Sequence, residues 1–220
     1  MGILLGGLPA GLVHVLSGPD HLAAVAPYAA QQRRQAWRVG LRWGLGHTGG
    51  VLLIGVLLLL LRGALPVRWL SAGSERLVGA VLIAIGLWGL RTAARVRADV
   101  FEQPPVASPV ASPAGHSHSP PYPHSHAAFG VGLLHGLAGS SHLLGILPAL
   151  ALPSTLAAGT WLLLFGAGTV LGMMAFATVI GLAATRFLSS AGVRGYRALL
   201  YACAVAAVGV GVFWLATGGA

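Results

Sequence analysis

Four side chains near the start of the chain, His14, Asp20, His21 and His47, carry the donor atoms of a transition-metal site. Imidazole nitrogen combined with carboxylate oxygen suits nickel, cobalt, zinc, copper or iron, and fits magnesium or calcium poorly. A single carboxylate leaves a divalent ion partly uncompensated, so such a site releases its ion again, as a transport site must. His14 and His21 belong to the stretch Gly11-Leu12-Val13-His14-Val15-Leu16-Ser17-Gly18-Pro19-Asp20-His21-Leu22. The chain repeats it 121 residues later as Gly132-Leu133-Leu134-His135-Gly136-Leu137-Ala138-Gly139-Ser140-Ser141-His142-Leu143. No gap is needed, and Pro27 then falls on Pro148. His135 and His142 are therefore candidate ligands as well. The second copy is chemically poorer: Ser140-Ser141 stands where Pro19-Asp20 stood, and Thr169 stands for His47. A third set, His116, His118, His124 and His126, forms two His-Ser-His triplets in a Pro- and Ser-rich stretch and is a candidate metal buffer. The plainer reading of any one of the span histidines is a polar residue satisfied at a helix contact, and of the four linker histidines an incidental part of a low-complexity stretch.

These donors need elements that hold them in an oily chain. Of the 220 residues, 56% are hydrophobic and 8% charged, against roughly 25% charged in soluble domains. The apolar runs reach the length of about 20 residues that a bilayer requires. Six membrane spans are expected, at 3–28, 40–61, 76–91, 127–152, 159–184 and 198–216. Helix is their natural state, because backbone groups in lipid must be satisfied within the segment. The third span is short, and its flanking arginines reach the headgroups by snorkelling. Trp37, Trp69, Trp161 and Trp214 fall near span ends, as interfacial aromatics do. Asp20 is the only acid inside a span, and a carboxylate at a helix centre costs about 2.5–3.5 kcal/mol on insertion scales. Gly18-Pro19 just before it is expected to break the first helix, since proline removes a donor and clashes with the preceding turn. The break matters: in an unbroken helix His14 and His21 would be about 10.5 Å apart along the axis, whereas ligands of one ion lie about 2 Å from it. An unwound turn at 17–19 brings them together and offers carbonyl oxygens as further donors.

The repeat extends beyond the first motif. Gly44, Gly46 and Gly50 match Gly166, Gly168 and Gly172, and Gly86-Leu87-Trp88-Gly89-Leu90 loosely resembles Gly211-Val212-Phe213-Trp214-Leu215. The expected fold is all-α: six transmembrane helices as two inverted three-helix repeats, with discontinuous first and fourth helices. The halves are 1–95 and 127–220, joined by a His-, Pro- and Ser-rich linker at 96–126. Inverted repeats place a shared site near the bilayer midplane, on broken helices. Ten of the 13 arginines fall on one side: Arg33, Arg34, Arg38, Arg42, Arg91, Arg95, Arg97, Arg186, Arg194 and Arg197. The positive-inside bias puts that side and the linker in the cytoplasm and both termini outside it. The linker is expected to be disordered.

Composition also excludes functions. The chain has no lysine, so it is no P-loop ATPase, whose lysine reaches the phosphates. The formal charge of +9 follows from loop arginines that set topology, and nucleic acid is not an expected partner. The N-terminus lacks the basic region of a signal peptide. Cys203, the single cysteine, forms no internal disulfide and reads as core. An intramembrane metallohydrolase would need His-Glu-x-x-His, and no span holds a glutamate, so an enzyme is not expected. Two alternatives remain. Paired histidines could ligate haem in an electron carrier, though Asp20 beside an axial ligand then has no role. A non-transporting scaffold could instead deliver nickel to an enzyme such as urease.

With these residues in hand, the chain resembles the nickel/cobalt transporter superfamily, in particular the short urease-accessory-type nickel permease branch, to which the nickel/cobalt efflux proteins are related. The resemblance rests on His14 to Asp20-His21, on Gly46-His47-Thr48 in the next span, and on the His-rich linker. The familiar uptake members have four residues between the first His and Asp-His, where this chain has five, and usually Gly-His-Ser in the second span. They have eight spans, so six matches the shorter branch. The resemblance implies selective passage of Ni(II) or Co(II), coordinated by these residues as cargo rather than held as a resident cofactor, and a link to the maturation of a nickel enzyme.

Overall fold

The computed structural model describes residues 6–61, 67–96, 125–137 and 143–217, with side chains described for 6–57, 76–96, 127–137 and 147–217. Every regular element among them is helical. In chain order these are α1 (Gly7–Ser17), α2 (Pro19–Gln32), a 3₁₀ turn (Arg33–Gln35), α3 (Ala36–Leu61), α4 (Val67–Arg95), α5 (Ser125–Leu137), α6 (Leu143–Leu150) and α7 (Thr155–Thr217).

The expected break in the first helix lies at Gly18, whose φ of −93° and ψ of 96° are extended. Pro19 then opens α2, the position where its missing N–H costs nothing. Asp20 sits in the first turn of α2, where the positive end of the helix favours a carboxylate. The break is narrower than the sequence suggests. Gly18 N–H donates to the Val15 carbonyl, and the Gly18 carbonyl accepts from His21 and Leu22. Those two carbonyls are thus spent on the backbone, and the expected supply of extra oxygen donors is reduced. Pro27 lies inside α2 and Pro148 inside α6, so both copies of the repeat carry a proline within the helix after the motif. The Gln31 amide donates to the Pro27 carbonyl at 3.0 Å. α7 turns at Gly192 (φ 62°, ψ −158°), a conformation open to glycine without strain.

Glycines set how the helices meet. A Cβ on Gly11 of α1 would collide with the Phe165 carbonyl of α7, and one on Gly168 of α7 with the Leu8 carbonyl of α1. On the other side of the molecule a Cβ on Gly46 of α3 would strike the Phe129 carbonyl of α5, and Cβ atoms on Gly132 and Gly136 the carbonyls of Trp43 and His47. Such approach is available only to residues without a side chain. In both seams the residue numbers rise together, so the paired helices run in the same direction. α3 meets α7 with numbers running oppositely, Gly40 against Met173 and Gly44 against Val170. α4 meets the second arm of α7 the same way, Gly79 against Gly211 and Gly86 against Ala204.

The core is built from small side chains. Ala23, Ala24, Ala29, Ala36, Ala128, Ala177 and Ala207 surround Trp43, Leu82 and Met173. Cys203 is buried among Tyr196, Leu200 and Ala184, in accord with a core role. Trp161, near the start of α7, is buried in a cluster with Val51, Ala149, Ala158 and Leu162. The outer surface is apolar, with Val13, Leu156, Leu163, Val179, Val205 and Phe213 all more than half exposed. Two described stretches, Arg76–Arg95 and Thr155–Thr217, are long and apolar enough to cross a membrane.

Candidate metal centre

The break at Gly18 reverses the geometry of the first motif. His14 ends its helix pointing inward, and His21, three residues past the break, turns back towards it. Their Nε2 atoms lie 3.0 Å apart, and their rings meet edge to face with centroids 4.6 Å apart. The third imidazole comes from α3: the His47 ring lies 4.9 Å from that of His21 and 5.7 Å from that of His14. One donor nitrogen from each of His14, His21 and His47 falls within 4.8 Å of the others.

Asp20 faces the other side of His21. His21 Nδ1–H donates to Asp20 Oδ1 at 2.9 Å, and His135 Nε2–H donates to Oδ2 at 2.8 Å. His135 comes from α5, 115 residues away in sequence. Asp20, His21 and His135 form a second group with donor atoms within 4.8 Å of one another. All five residues are buried, Asp20 being the most accessible at 5%. A carboxylate in so dry a place needs such donors, since an unpaired buried charge is strongly unfavourable. Asp20 also orients His21: an imidazole whose Nδ1–H is fixed by a carboxylate presents a bare Nε2 on its far edge, as metal-ligating histidines do.

Of the residues named from the sequence, His14, Asp20, His21, His47 and His135 therefore meet in one buried cluster. His142, His116, His118 and His124 lie outside the described residues, and so does most of the linker. His126 lies in α5 without a described side chain. Two participants escaped sequence reading. Trp43 stacks on His47 at 4.9 Å with the planes 9° apart, and its ring also lies 5.4 Å from His21 and from His135. Phe165 packs 5.2 Å from His14. The available signal was spacing: Trp43 precedes His47 by four residues and Phe165 precedes Thr169 by four, the interval that stacks side chains on one helix face. Thr48 donates to the Gly166 carbonyl at 3.3 Å and ties α3 to α7. Thr169, the counterpart of His47, is fully buried, and its hydroxyl donates back to Phe165 of its own helix at 3.0 Å.

No family model matches the chain, and no solved structure does. Among curated proteins it is 30% identical over 208 residues to the urease accessory protein UreH of Bacillus sp. (strain TB-90), covering 91% of this chain and 84% of that protein. The chain belongs to the UreH family. This UreH-family protein is also 37% identical over 182 residues to the chloroplast protein FOR GROWTH AND FERTILITY 1 of Arabidopsis thaliana, and 34% identical over 207 residues to its counterpart 2. Those alignments cover 80% and 94% of the chain but 48% and 54% of the plant proteins, so the chain spans about half their length. None of the three is named as an enzyme.

Proposed function

We propose that this UreH-family protein is a secondary transporter that moves a divalent transition-metal ion, Ni(II) or Co(II), across a membrane. The observation that carries the reading is the convergence of three imidazoles from α1, α2 and α3, backed by one carboxylate, in the dry centre of an apolar helical protein. Nitrogen and oxygen donors without thiolate favour these borderline ions. The Nε2 atoms of His14 and His21 lie 3.0 Å apart, close enough for one ion to draw both nitrogens onto itself.

The membrane architecture supports the same function. The exposed leucines, valines and phenylalanines form a surface suited to lipid. The chain crosses six times, as two three-helix halves. α1–α2, α3 and α4 make the first; α5–α6 and the two arms of α7 make the second. The parallel seams α1–α7 and α3–α5, with the antiparallel contacts of α3 and α4 on α7, are the register that two halves of opposite orientation would give. Each half's first helix then packs on the other half's second, and the cluster lies where they cross. The ion sheds water onto the imidazoles, and rocking of one half against the other exposes it to the opposite face. The arginine bias puts the linker in the cytoplasm, where His116, His118, His124 and His126 buffer the ion. The urease-accessory name of UreH supports delivery to nickel-enzyme maturation.

A haem carrier fits less well. Axial imidazoles lie on opposite faces of the macrocycle, about 4 Å apart through the iron, whereas His14 and His21 are 3.0 Å apart and edge to face. The test is flux of radioactive nickel or cobalt into liposomes holding the purified chain. Asp20→Ala is expected to abolish uptake, and equal rates for variant and wild type would refute the mechanism. Binding without flux in the wild type would favour the scaffold.

A further inference from the structure

We infer that the cluster offers the ion two successive positions that share the His21 ring, rather than one five-ligand site; this rests on the metal-transport reading above. The two nitrogens of an imidazole lie on different edges of the ring, with lone pairs that diverge. One ion cannot use both. His21 Nε2 faces His14, and with His47 it completes the first position. His21 Nδ1 faces Asp20, which His135 also contacts, and these make the second.

His14 and His135 are counterparts in the repeat and flank the His21 ring in nearly the same way. Their centroids lie 4.6 and 4.8 Å from it, with the planes at 85° and 75°. Each is packed against an aromatic ring of the helix across its seam, His14 on Phe165 and His135 on Trp43. The two positions thus differ in which halves they use. The first takes all its ligands from α1, α2 and α3; the second adds α5.

His21 serves either position by changing which nitrogen carries its proton. With Nδ1–H donated to Asp20, Nε2 is bare towards His14 and His47. With Nε2–H donated to His14, Nδ1 is bare towards Asp20 and His135. The second tautomer exists only with the ion in the second position, where the cation separates Nδ1 from the Asp20 carboxylate; the proton that the ion displaces from Nδ1 leaves on a water shed by the ion, and Nε2, vacated by the ion, takes one up from water and donates it to His14. Occupancy is by one ion at a time, because two divalent ions beside one ring would have a single carboxylate between them. An ion that steps from the three-imidazole position to the carboxylate position exchanges a ligand of the first half for one of the second.

The experiment combines cobalt absorption spectroscopy of the full-length chain in detergent with cobalt flux in liposomes. His47→Ala removes a ligand of the first position only. His135→Ala removes one of the second only, and His135→Gln retains an amide donor for Asp20 should the alanine variant fail to fold. Either His135 variant is expected to keep the wild-type cobalt spectrum while flux falls roughly tenfold or more. His47→Ala is expected to bind cobalt with a changed, oxygen-containing spectrum and to lose flux as well. Wild-type flux in His135→Gln, or the same altered spectrum in the His47 and His135 variants, would overturn the two-position scheme and leave a single site. Failure of the wild-type chain to bind either cobalt or nickel would overturn the transport reading itself, so the two failures are distinct.

Discussion

Two seams of the molecule are built alike and do different chemistry. In one, α1 lies against α7 through Gly11 and Gly168; in the other, α5 lies against α3 through Gly132, Gly136 and Gly46. Each seam sets a histidine of the repeated motif beside an aromatic ring, His14 beside Phe165 and His135 beside Trp43. One helical turn further along, the seams part. α3 presents His47, whose imidazole joins the cluster, whereas α7 presents Thr169, whose hydroxyl turns back onto its own helix. The backbone frame is thus duplicated while the donors are concentrated in one half. The difference teaches that close packing and donor chemistry are separable here: glycines fix where two helices meet, and the side chain one turn on, His47 or Thr169, decides whether the second helix of the seam adds an imidazole to the cluster.

The comparison breaks most severely at His21, the one residue common to both donor groups. His21→Ala is expected to lower cobalt affinity by roughly a hundredfold, read by isothermal titration. His47→Thr makes the two seams alike and should cost roughly tenfold in affinity or more, while Thr169→Ser leaves titration unchanged because its hydroxyl serves only its helix. The packing half of the argument is sharpened by Gly11→Ala and Gly136→Ala. Each forces a methyl against a neighbouring carbonyl and should destabilise by about 1–3 kcal/mol, seen as similar drops in thermal midpoint in detergent; a drop for only one would mean the seams are not equivalent. The smallest effect is expected from Trp43→Phe, which keeps a ring on His47 and should cost less than about 1 kcal/mol in metal binding. It should nonetheless reduce the quenching of tryptophan fluorescence by Ni(II) if the indole beside the cluster is the one quenched.

Much of the site could be read directly from residue order. The donor types at His14, Asp20, His21 and His47 were legible because polar chelators in an apolar chain are costly and have few other uses. The helix break at Gly18 was legible because proline excludes the alternative. His135 was named as a candidate only through the repeat, and its partner was not foreseen: a contact across 115 residues depends on how α5 seats against α3. Trp43 was passed over because an aromatic residue in an oily helix carries no polar signal. The narrowness of the break could not be foreseen either, since proline marks where a helix stops but not how many carbonyls are released.

By itself, then, the order of residues determined the helical character, the repeated motif, the kink and the inventory of ligand atoms, because these follow from local sterics, from hydrophobicity and from side-chain chemistry. Tertiary structure alone decided which nitrogen of His21 faces Asp20, that His135 reaches the second carboxylate oxygen, and which aromatic rings hold the imidazoles. Those choices rest on glycine-to-carbonyl contacts between helices far apart in the chain, and such contacts exist only once the helices have packed.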